Sequence, residues 1–470
     1  MSGGNVIVKN PLILGGGEAK FTEYNGGVYL KSNGNDYYYL INFINNQFNI
    51  SSEAQEIARY ACAYRNLHPN YTNISIPYNI KKIGEYSFYE SNISSVDFEN
   101  TDVQLDRNAF AYCRSLTSIS NMPDLTKLNY GVFEWCNLSS ISIPDSVEEL
   151  DGYCFAGNQN LSVISGANNL RRIGGGSFYE CSSLTSLDFL RDNSSLTDIN
   201  DSAFSGSGLA GNLNIPSTVT SIGSYAFGNT AITGVSLPAS VDNMSWGNPF
   251  QKCPSLSRIS VDPNNARYYT LNNDKMLLEK NSRYDYDLGE EIHYSTIRSA
   301  IEFSSIEGGD NVTTLGSGCL VYIQNHNSWG TAFSIPEGIV NYEGSALSPD
   351  GDYSYYYNVI LPNSFEGPVK SWDSNLIGSS ANIRLKWRDP FNCNYRIVKR
   401  GTFYLLGSGS EIELPATITD IEEYAFHNVY CNAISYAGTV NDWYNINIDS
   451  GWRWDTNITT VHCSDGDITL

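Results

Sequence analysis

"AFAYCRSLTSIS" occupies residues 109–120, and close variants return as "VFEWCNLSSISIP" from Val132 and "SFYECSSLTSLDF" from Ser177. The recurring phenylalanines are Phe88, Phe110, Phe133, Phe155, Phe178, Phe204, Phe227 and Phe250, at steps of 22, 23, 22, 23, 26, 23 and 23 residues. A fixed period of this length is the signature of a stacked-repeat solenoid. One such unit cannot bury its apolar face alone, so neighbouring units must cover it.

The rest of the repeat follows from the phenylalanine. An aliphatic residue stands five positions before it: Ile83, Leu105, Leu128, Leu150, Ile173, Ile199 and Ile222. Met244 stands six before Phe250. A second aliphatic follows the phenylalanine, then an alternating pair such as Ile141 with Ile143 or Val235 with Leu237. Alternation of this kind predicts a short strand with one face inward. Proline often ends it (Pro77, Pro144, Pro216, Pro238), because proline has no amide for the ladder. The segment between proline and phenylalanine is predicted to be a turn, with a second short strand in places. Cys62, five after Ile57, stands where a phenylalanine is expected, and Phe426 closes "IELPATITDIEEYAF" in full register. Fainter echoes are "FSIPEGIV" from Phe333 and "VILPNSF" from Val359. The fold class is therefore a β-rich repeat solenoid of short strands and turns.

"ISIPDSVEELDGYCF" and "LNIPSTVTSIGSYAF" resemble the BspA-type leucine-rich repeat, whose usual form is L-x-x-I-x-I-P-x-x-V-x-x-I-G-x-x-A-F. The resemblance covers residues 55–262 and 412–427. "GGVYLKSNGNDYYYL" from Gly26 resembles the hairpin that opens some of these arrays, and "YAGTVNDWYNINI" with "VHCSDGD" resembles the cap that closes them. The resemblance implies a curved right-handed solenoid used for adhesion and recognition, without catalysis. It implies a cell-surface or extracellular setting, and a protein or glycan on a cell surface or matrix as partner. A structural part of a larger assembly, such as a virion, is the alternative, with a virion or cytoplasmic location. Residues 1–20 show no secretory signal.

The predicted organisation is an arm over 1–20, a hairpin cap over 21–54 and the regular solenoid over 55–262. An irregular region with a hairpin insert and degenerate repeats follows over 263–395, then the last repeat and an aromatic cap over 396–470. "VDPNNARYYTLNNDKMLLEKN" reads as a hairpin turning at "NND", and "NYRIVKRGTFYLLGSGSEIELP" reads the same way. "DYDLGEEIHYSTIRSAIEF" and "DGDYSYYYN" fit no coil. Either this region carries functional excursions or its coils drifted in sequence while keeping their shape.

Net charge is −22, with 50 acidic against 28 basic residues. A nucleic-acid binder needs a basic footprint, which this chain lacks. No run of apolar residues is long enough to cross a membrane as a helix. Asp350 and Asp352 are too few carboxylates for a calcium loop, so no metal and no cofactor is expected. The five histidines lie in no H-E-x-x-H motif, and the nucleophile-elbow and phosphate-loop motifs are missing. Oligomeric state is not encoded in any motif.

Ten cysteines invite a disulfide reading, but Cys113, Cys136, Cys181 and Cys253 each follow a ladder phenylalanine by three residues. They are expected to be free thiols packed as small inward hydrophobes. The candidate ligand-binding residues are aromatic: Tyr355, Tyr356 and Tyr357 in the irregular region, and Trp443, Trp452 and Trp454 near the C-terminus. The reading that weighs more for the three tryptophans is a cap, because an array end must cover its last rung and large aromatics do that well.

Overall fold

The computed structural model describes residues 21–24, 27–32, 35–43, 50–64, 72–245, 247–285, 290–300, 312–316, 319, 333–342, 356–368, 382–404, 406 and 409–470. The chain forms two compact units, Met1–Leu196 with Gly206–Gly208, and Thr197–Ser205 with Leu209–Leu470.

The first unit opens on an antiparallel meander of Phe21–Tyr24, Gly27–Ser32 and Asn35–Phe43. The third strand then pairs in parallel with Glu56–Ile57, which starts the solenoid. Each coil has three sides. One is a two-residue strand, such as Lys82–Ile83 or Glu149–Leu150, whose second residue points inward. The second is a longer strand, as in Asn73–Ile76, Ser95–Phe98 and Ser118–Ser120, stacked with Ile74 over Val96 over Ile119. The third side is the turn that carries the phenylalanine.

That turn binds the coils by a repeated bond pattern. The amide of Phe88 donates to the carbonyl of Ala109 at 2.8 Å, that of Phe110 to Val132 at 2.9 Å and that of Phe133 to Cys154 at 2.9 Å. The amides two residues either side do the same: Asn108 donates to Tyr130 at 2.8 Å, and Tyr112 to Glu134 at 2.6 Å. Three amides per turn therefore point at the next coil. Residues two before and two after the ladder position achieve this by adopting left-handed backbone. Gly131 and Trp135 (φ 62° and 51°) and Tyr153 and Gly157 (φ 56° and 73°) are examples. The Cys62 turn obeys the same rule, with Tyr60 and Tyr64 left-handed and the Cys62 amide on the Ser87 carbonyl at 2.7 Å.

Inside the turns the rings form a continuous column. Phe88 to Phe110, Phe133, Phe155 and Phe178 stack at centroid distances of 4.9, 5.6, 5.8 and 5.6 Å. All are buried. The coil after Phe178 is wider and places a 3₁₀ turn, Asp188–Leu190, where others place a strand; Phe189 meets Phe178 edge-on at 5.7 Å.

The cysteines do more than fill space, which corrects the expectation of purely hydrophobic rungs. Cys113 Sγ lies 2.9 Å from the carbonyl oxygen of Phe88, Cys136 Sγ 3.1 Å from that of Phe110, and Cys181 Sγ 3.2 Å from that of Phe155. Each thiol is thus a donor to the ladder residue of the preceding coil. Asn158 holds this position after Phe155, and its Nδ2 donates to the Phe133 carbonyl at 2.8 Å. The site selects a small donor. All ten cysteines are free, and nine are buried. Burial pushes the Cys181 thiol up to about 12 and that of Cys431 up to about 11. Buried asparagines staple other coils together: Asn79 Nδ2 donates to the carbonyls of Ser51 (3.1 Å) and Ala54 (2.5 Å), and Asn193 Nδ2 to those of Ala167 (2.8 Å) and Leu170 (3.0 Å).

The second unit continues the same design. Phe204, Phe227 and Phe250 stack at 5.7 and 6.0 Å, and Cys253 Sγ reaches the Phe227 carbonyl at 3.2 Å. Met244 pairs in register with Ile222, so its six-residue step leaves the strand ladder intact. The predicted insert is present: Tyr268–Leu271 and Met276–Asp285 pair antiparallel across Asn272–Lys275. It is larger than expected, because Glu290–Ala300 from the stretch that fitted no coil adds a third antiparallel strand. Glu279, almost fully buried, anchors it by accepting from Arg267 at 2.6 Å and Arg298 at 2.5 Å.

Beyond the insert, the described residues return to parallel coils. Phe333–Ser334, Tyr356–Leu361, Asn382–Trp387, Glu411–Leu414 and Ala433–Tyr436 follow in order. Coil shape is thus kept here with a drifted sequence. The second expected hairpin is a correction. Ile397–Val398 pairs in parallel with Asp420–Ile421, and Phe403–Tyr404 with Phe426–His427. Val398 and Phe403 supply the five-residue step, and Phe403 stands 4.8 Å from Phe426, so this is a regular coil. The array ends in the five-residue helix Val440–Tyr444, opened by a Thr439–Asp442 capping box, and the hairpin of Thr460–Cys463 with Gly466–Thr469. Phe426 is buried against this cap, with the Trp452 ring edge-on at 5.4 Å.

Phe133 sits mid-column with rings on both sides. Phe133→Ala should cost about 3–5 kcal/mol, read as a lowered denaturation midpoint. Thiol labelling of the native protein should modify Cys463 alone, since only it is partly exposed; denaturant should release the other nine, because a buried, protonated thiol is unreactive.

Candidate functional site

The left-handed positions that bond the coils together also aim side chains outward. In the first unit Tyr60, Tyr64, Tyr86, Tyr112, Trp135 and Tyr153 hold such positions and, with Tyr89 and Tyr130 beside them, form two sets of rings flanking the phenylalanine turns. One set contains Tyr60 and Tyr86, stacked at 5.2 Å with planes 7° apart, then Tyr130 and Tyr153 at 5.6 Å. The other contains Tyr64 and Tyr89 at 5.5 Å, Tyr89 and Tyr112 at 5.3 Å, and Tyr112 and Trp135 at 6.5 Å. Tyr86 and Tyr89 link the two sets edge-to-face at 5.5 Å. Tyr64 is 57% exposed, Tyr60 39% and Tyr153 37%, while Tyr86, Tyr89, Tyr112, Tyr130 and Trp135 are half-buried.

The fold does not require rings here. Gly131, Gly157 and Gly176 fill equivalent positions at φ 62°, 73° and 64°. Holding a non-glycine residue left-handed costs roughly 1–2 kcal/mol. Ring stacking offsets part of that, worth about 0.5–1.5 kcal/mol per pair. Where glycine does occur, the neighbouring ring uses the vacated space: a Cβ on Gly157 would lie 2.4 Å from Trp135 Cδ2.

Charge is threaded through the strip. The Arg59 guanidinium lies 5.0 Å from the Tyr60 ring centre and 5.6 Å from that of Tyr86. Arg107 covers Tyr130 at 5.3 Å, and Arg114 lies 5.8 Å from both Tyr112 and Trp135. Carboxylates alternate with these: Glu90, Glu134 and Glu180. Burial raises the Glu134 carboxyl above its ordinary value. Burial, then the charge of Glu90, pushes the Tyr89 phenol up to about 12. Burial followed by the Glu134 charge raises Tyr112 and Tyr130, and a hydrogen bond with Glu180 raises Tyr179.

The sequence-selected candidates fare differently. Trp443 and Trp452 are buried at 3% and 7% exposure, 6.0 Å apart, with Tyr436 against the first and Phe426 against the second. They are cap core, which corrects their nomination as ligand residues: the last rung needs cover and they supply it. Trp454 is 60% exposed and meets Tyr424 edge-on at 6.2 Å. With Tyr404, His427 and Arg400 it forms a smaller aromatic group on the phenylalanine turns of the second unit. Tyr356 and Tyr357 lie in the strand Tyr356–Leu361, while Tyr355, Asp350 and Asp352 fall outside the described residues. Among the described residues no group of three or more His, Cys, Asp or Glu is placed to hold a metal, and no helix is long and apolar enough to cross a membrane.

Short strands, inward aliphatics and a buried ring column repeated every 23 residues or so define a leucine-rich repeat solenoid. The chain belongs to the BspA type leucine-rich repeat family, whose profile matches residues 34–162, 150–273 and 391–448. Comparison with curated proteins gives no match. Among solved structures the chain is similar to a leucine-rich cell surface protein of Faecalibacterium prausnitzii, with 18% identity over 93% of this chain and 99% of that one and a TM-score of 0.40. It is similar to a leucine-rich repeat protein of Bacteroides ovatus, with 16% identity, 92% and 97% coverage and a TM-score of 0.36. It is also similar to the pneumococcal vaccine antigen PcpA, with 12% identity, 96% and 99% coverage and a TM-score of 0.39.

The raised phenols fix the sign of an alkaline effect. A phenol held above its unfolded value of 10 contributes stability that is complete below pH 10. That contribution is lost as pH rises toward the folded value near 12. The unfolding midpoint should therefore fall across that interval, and Tyr89→Phe should flatten the fall. A profile identical in the variant would remove Tyr89 from the effect.

Proposed function

We propose that the protein is a non-enzymatic recognition and adhesion protein that binds a protein or glycan at a cell surface or in a matrix. The observation that carries this reading is the aromatic strip of the first unit. Tyrosines and a tryptophan occupy left-handed positions where the same solenoid elsewhere uses glycine; Tyr60, Tyr64 and Tyr153 are exposed, and Tyr86, Tyr112 and Trp135 are half-buried. An exposed, contiguous aromatic surface of this kind marks an interaction site. Family membership supports the reading, since leucine-rich repeat proteins of this type are typically not enzymes.

The test is a whole-cell and glycan-array binding screen with the purified chain, run beside a form lacking residues 1–20. Saturable binding by both forms is expected, which would assign recognition to the solenoid. Absence of saturable binding to every cell and glycan in the panel would overturn the proposal.

A further inference from the structure

We propose that the aromatic strip of the first unit is the docking surface, and that its occupant is a protein segment bearing lysine or arginine side chains. This rests on the recognition reading above and adds the place and the chemistry.

Three observations favour a cationic peptide over a sugar. The first is ring geometry. Sugars stack on flat, free aromatic faces, but here neighbouring rings alternate between stacked pairs, Tyr60 with Tyr86 (7°) and Tyr112 with Trp135 (27°), and steeply inclined ones, Tyr64 with Tyr89 (69°) and Tyr86 with Tyr89 (81°), so the strip is corrugated rather than a flat platform. Tyrosine, tryptophan and arginine together are also the residues that dominate protein–protein hot spots.

The second is charge. Among the described residues Glu90, Glu134 and Glu180 take part in no ion pair, whereas Glu85 is paired with Arg59 at 3.4 Å. The three carboxylates without an ion pair sit in every second turn, those of Phe88, Phe133 and Phe178. After burial, the charges of Glu90 and Glu134 act on the phenols of Tyr89 and Tyr112. A net charge of −22 draws a cationic partner toward it before contact.

The third is precedent within the strip. Arg59, Arg107 and Arg114 already lie over its rings at 5.0–5.8 Å, which shows that these aromatic groups accept a guanidinium. A further cation from a partner would find the same rings with an unneutralised carboxylate at hand, the combination that favours cation–π contact.

The experiment titrates the full chain with oligolysine, oligoglutamate and a neutral oligosaccharide by calorimetry. It uses the wild type, E90Q/E134Q/E180Q, and Y112G/W135G. Glycine suits the left-handed backbone at Tyr112 and Trp135 (φ 62° and 51°), so the second variant removes rings without straining the turn. A control, D102N/D124N/D192N, removes as many charges from exposed positions off the strip. Oligolysine should bind the wild type and the control saturably and each strip variant about tenfold or more weakly, with no saturable binding of the other two probes. Equal oligolysine affinity in all four proteins, or no oligolysine binding, would overturn the proposal. Sugar binding that survives E90Q/E134Q/E180Q would also overturn it. The same proteins in the whole-cell assay separate the two readings. Cells bound equally by wild type and strip variants would place recognition on another face. Cells bound by neither, with oligolysine still bound by the wild type, would remove the recognition reading and leave the strip's chemistry standing.

Discussion

The turn around each ladder phenylalanine is the constraint on which the rest of the solenoid depends. A turn normally spends its amides on its own chain or on water. Here three of them, at the phenylalanine and two residues either side, are aimed along the stack at carbonyls of the next coil. That is possible only because the flanking pair adopts left-handed backbone. The irregular side of these coils is thereby bonded along the stack as the strand sides are, which satisfies amides that burial would otherwise leave open. The phenylalanine then stacks at nearly the same height in every coil, and the small donor three residues later reaches back to the previous ring's carbonyl. Cys113, Cys136, Asn158 and Cys181 are four solutions to that single requirement.

Much of this was legible in the sequence, because burial leaves a periodic trace. The phenylalanine column, the five-residue step from Ile83 to Phe88, the Cys62 coil and the hairpin at Asn272–Lys275 all follow from spacing and turn chemistry. What escaped did so for physical reasons. Phe403 was hidden because Gly401, left-handed at φ 71°, signals a hairpin turn as readily as a ladder turn. Trp443 and Trp452 look like a platform when counted along the chain, yet the uncovered last rung draws both inward. The thiols were read as hydrophobes because cysteine is ambiguous. Comparing the position across coils, where it is Ser91, Cys113, Cys136, Asn158, Ser207 or Thr230, would have shown that a hydrogen-bond donor is common to all.

The aromatic strip was harder to see, and the reason is instructive. Its tyrosines are scattered over positions three before, two before, one after and two after the ladder residue, so no single column of the repeat is aromatic throughout. Only the folded turns, which set Tyr86 against Tyr89 and Tyr89 against Tyr112, make them neighbours. Sequence periodicity reports on what is buried. A surface patch built from several weakly occupied columns leaves no comparable trace.

This separation of core and surface gives the fold its latitude. Inward positions answer to the stack and tolerate little beyond Phe, Leu, Ile and a small donor. The left-handed positions answer only to backbone geometry, which glycine or asparagine satisfies at least strain. Any larger residue there works against local preference. A ring at one such position is recovered by stacking on its neighbour. A run of rings across successive coils, interleaved with guanidinium and carboxylate groups, goes beyond what stability of the turn demands, because Gly131 and Gly157 donate to the next coil at 2.9 and 2.7 Å from the same positions without one. Strain kept where the fold offers a relaxed alternative is not explained by the fold itself, and on this chain the rings so held line the phenylalanine turns of the first unit.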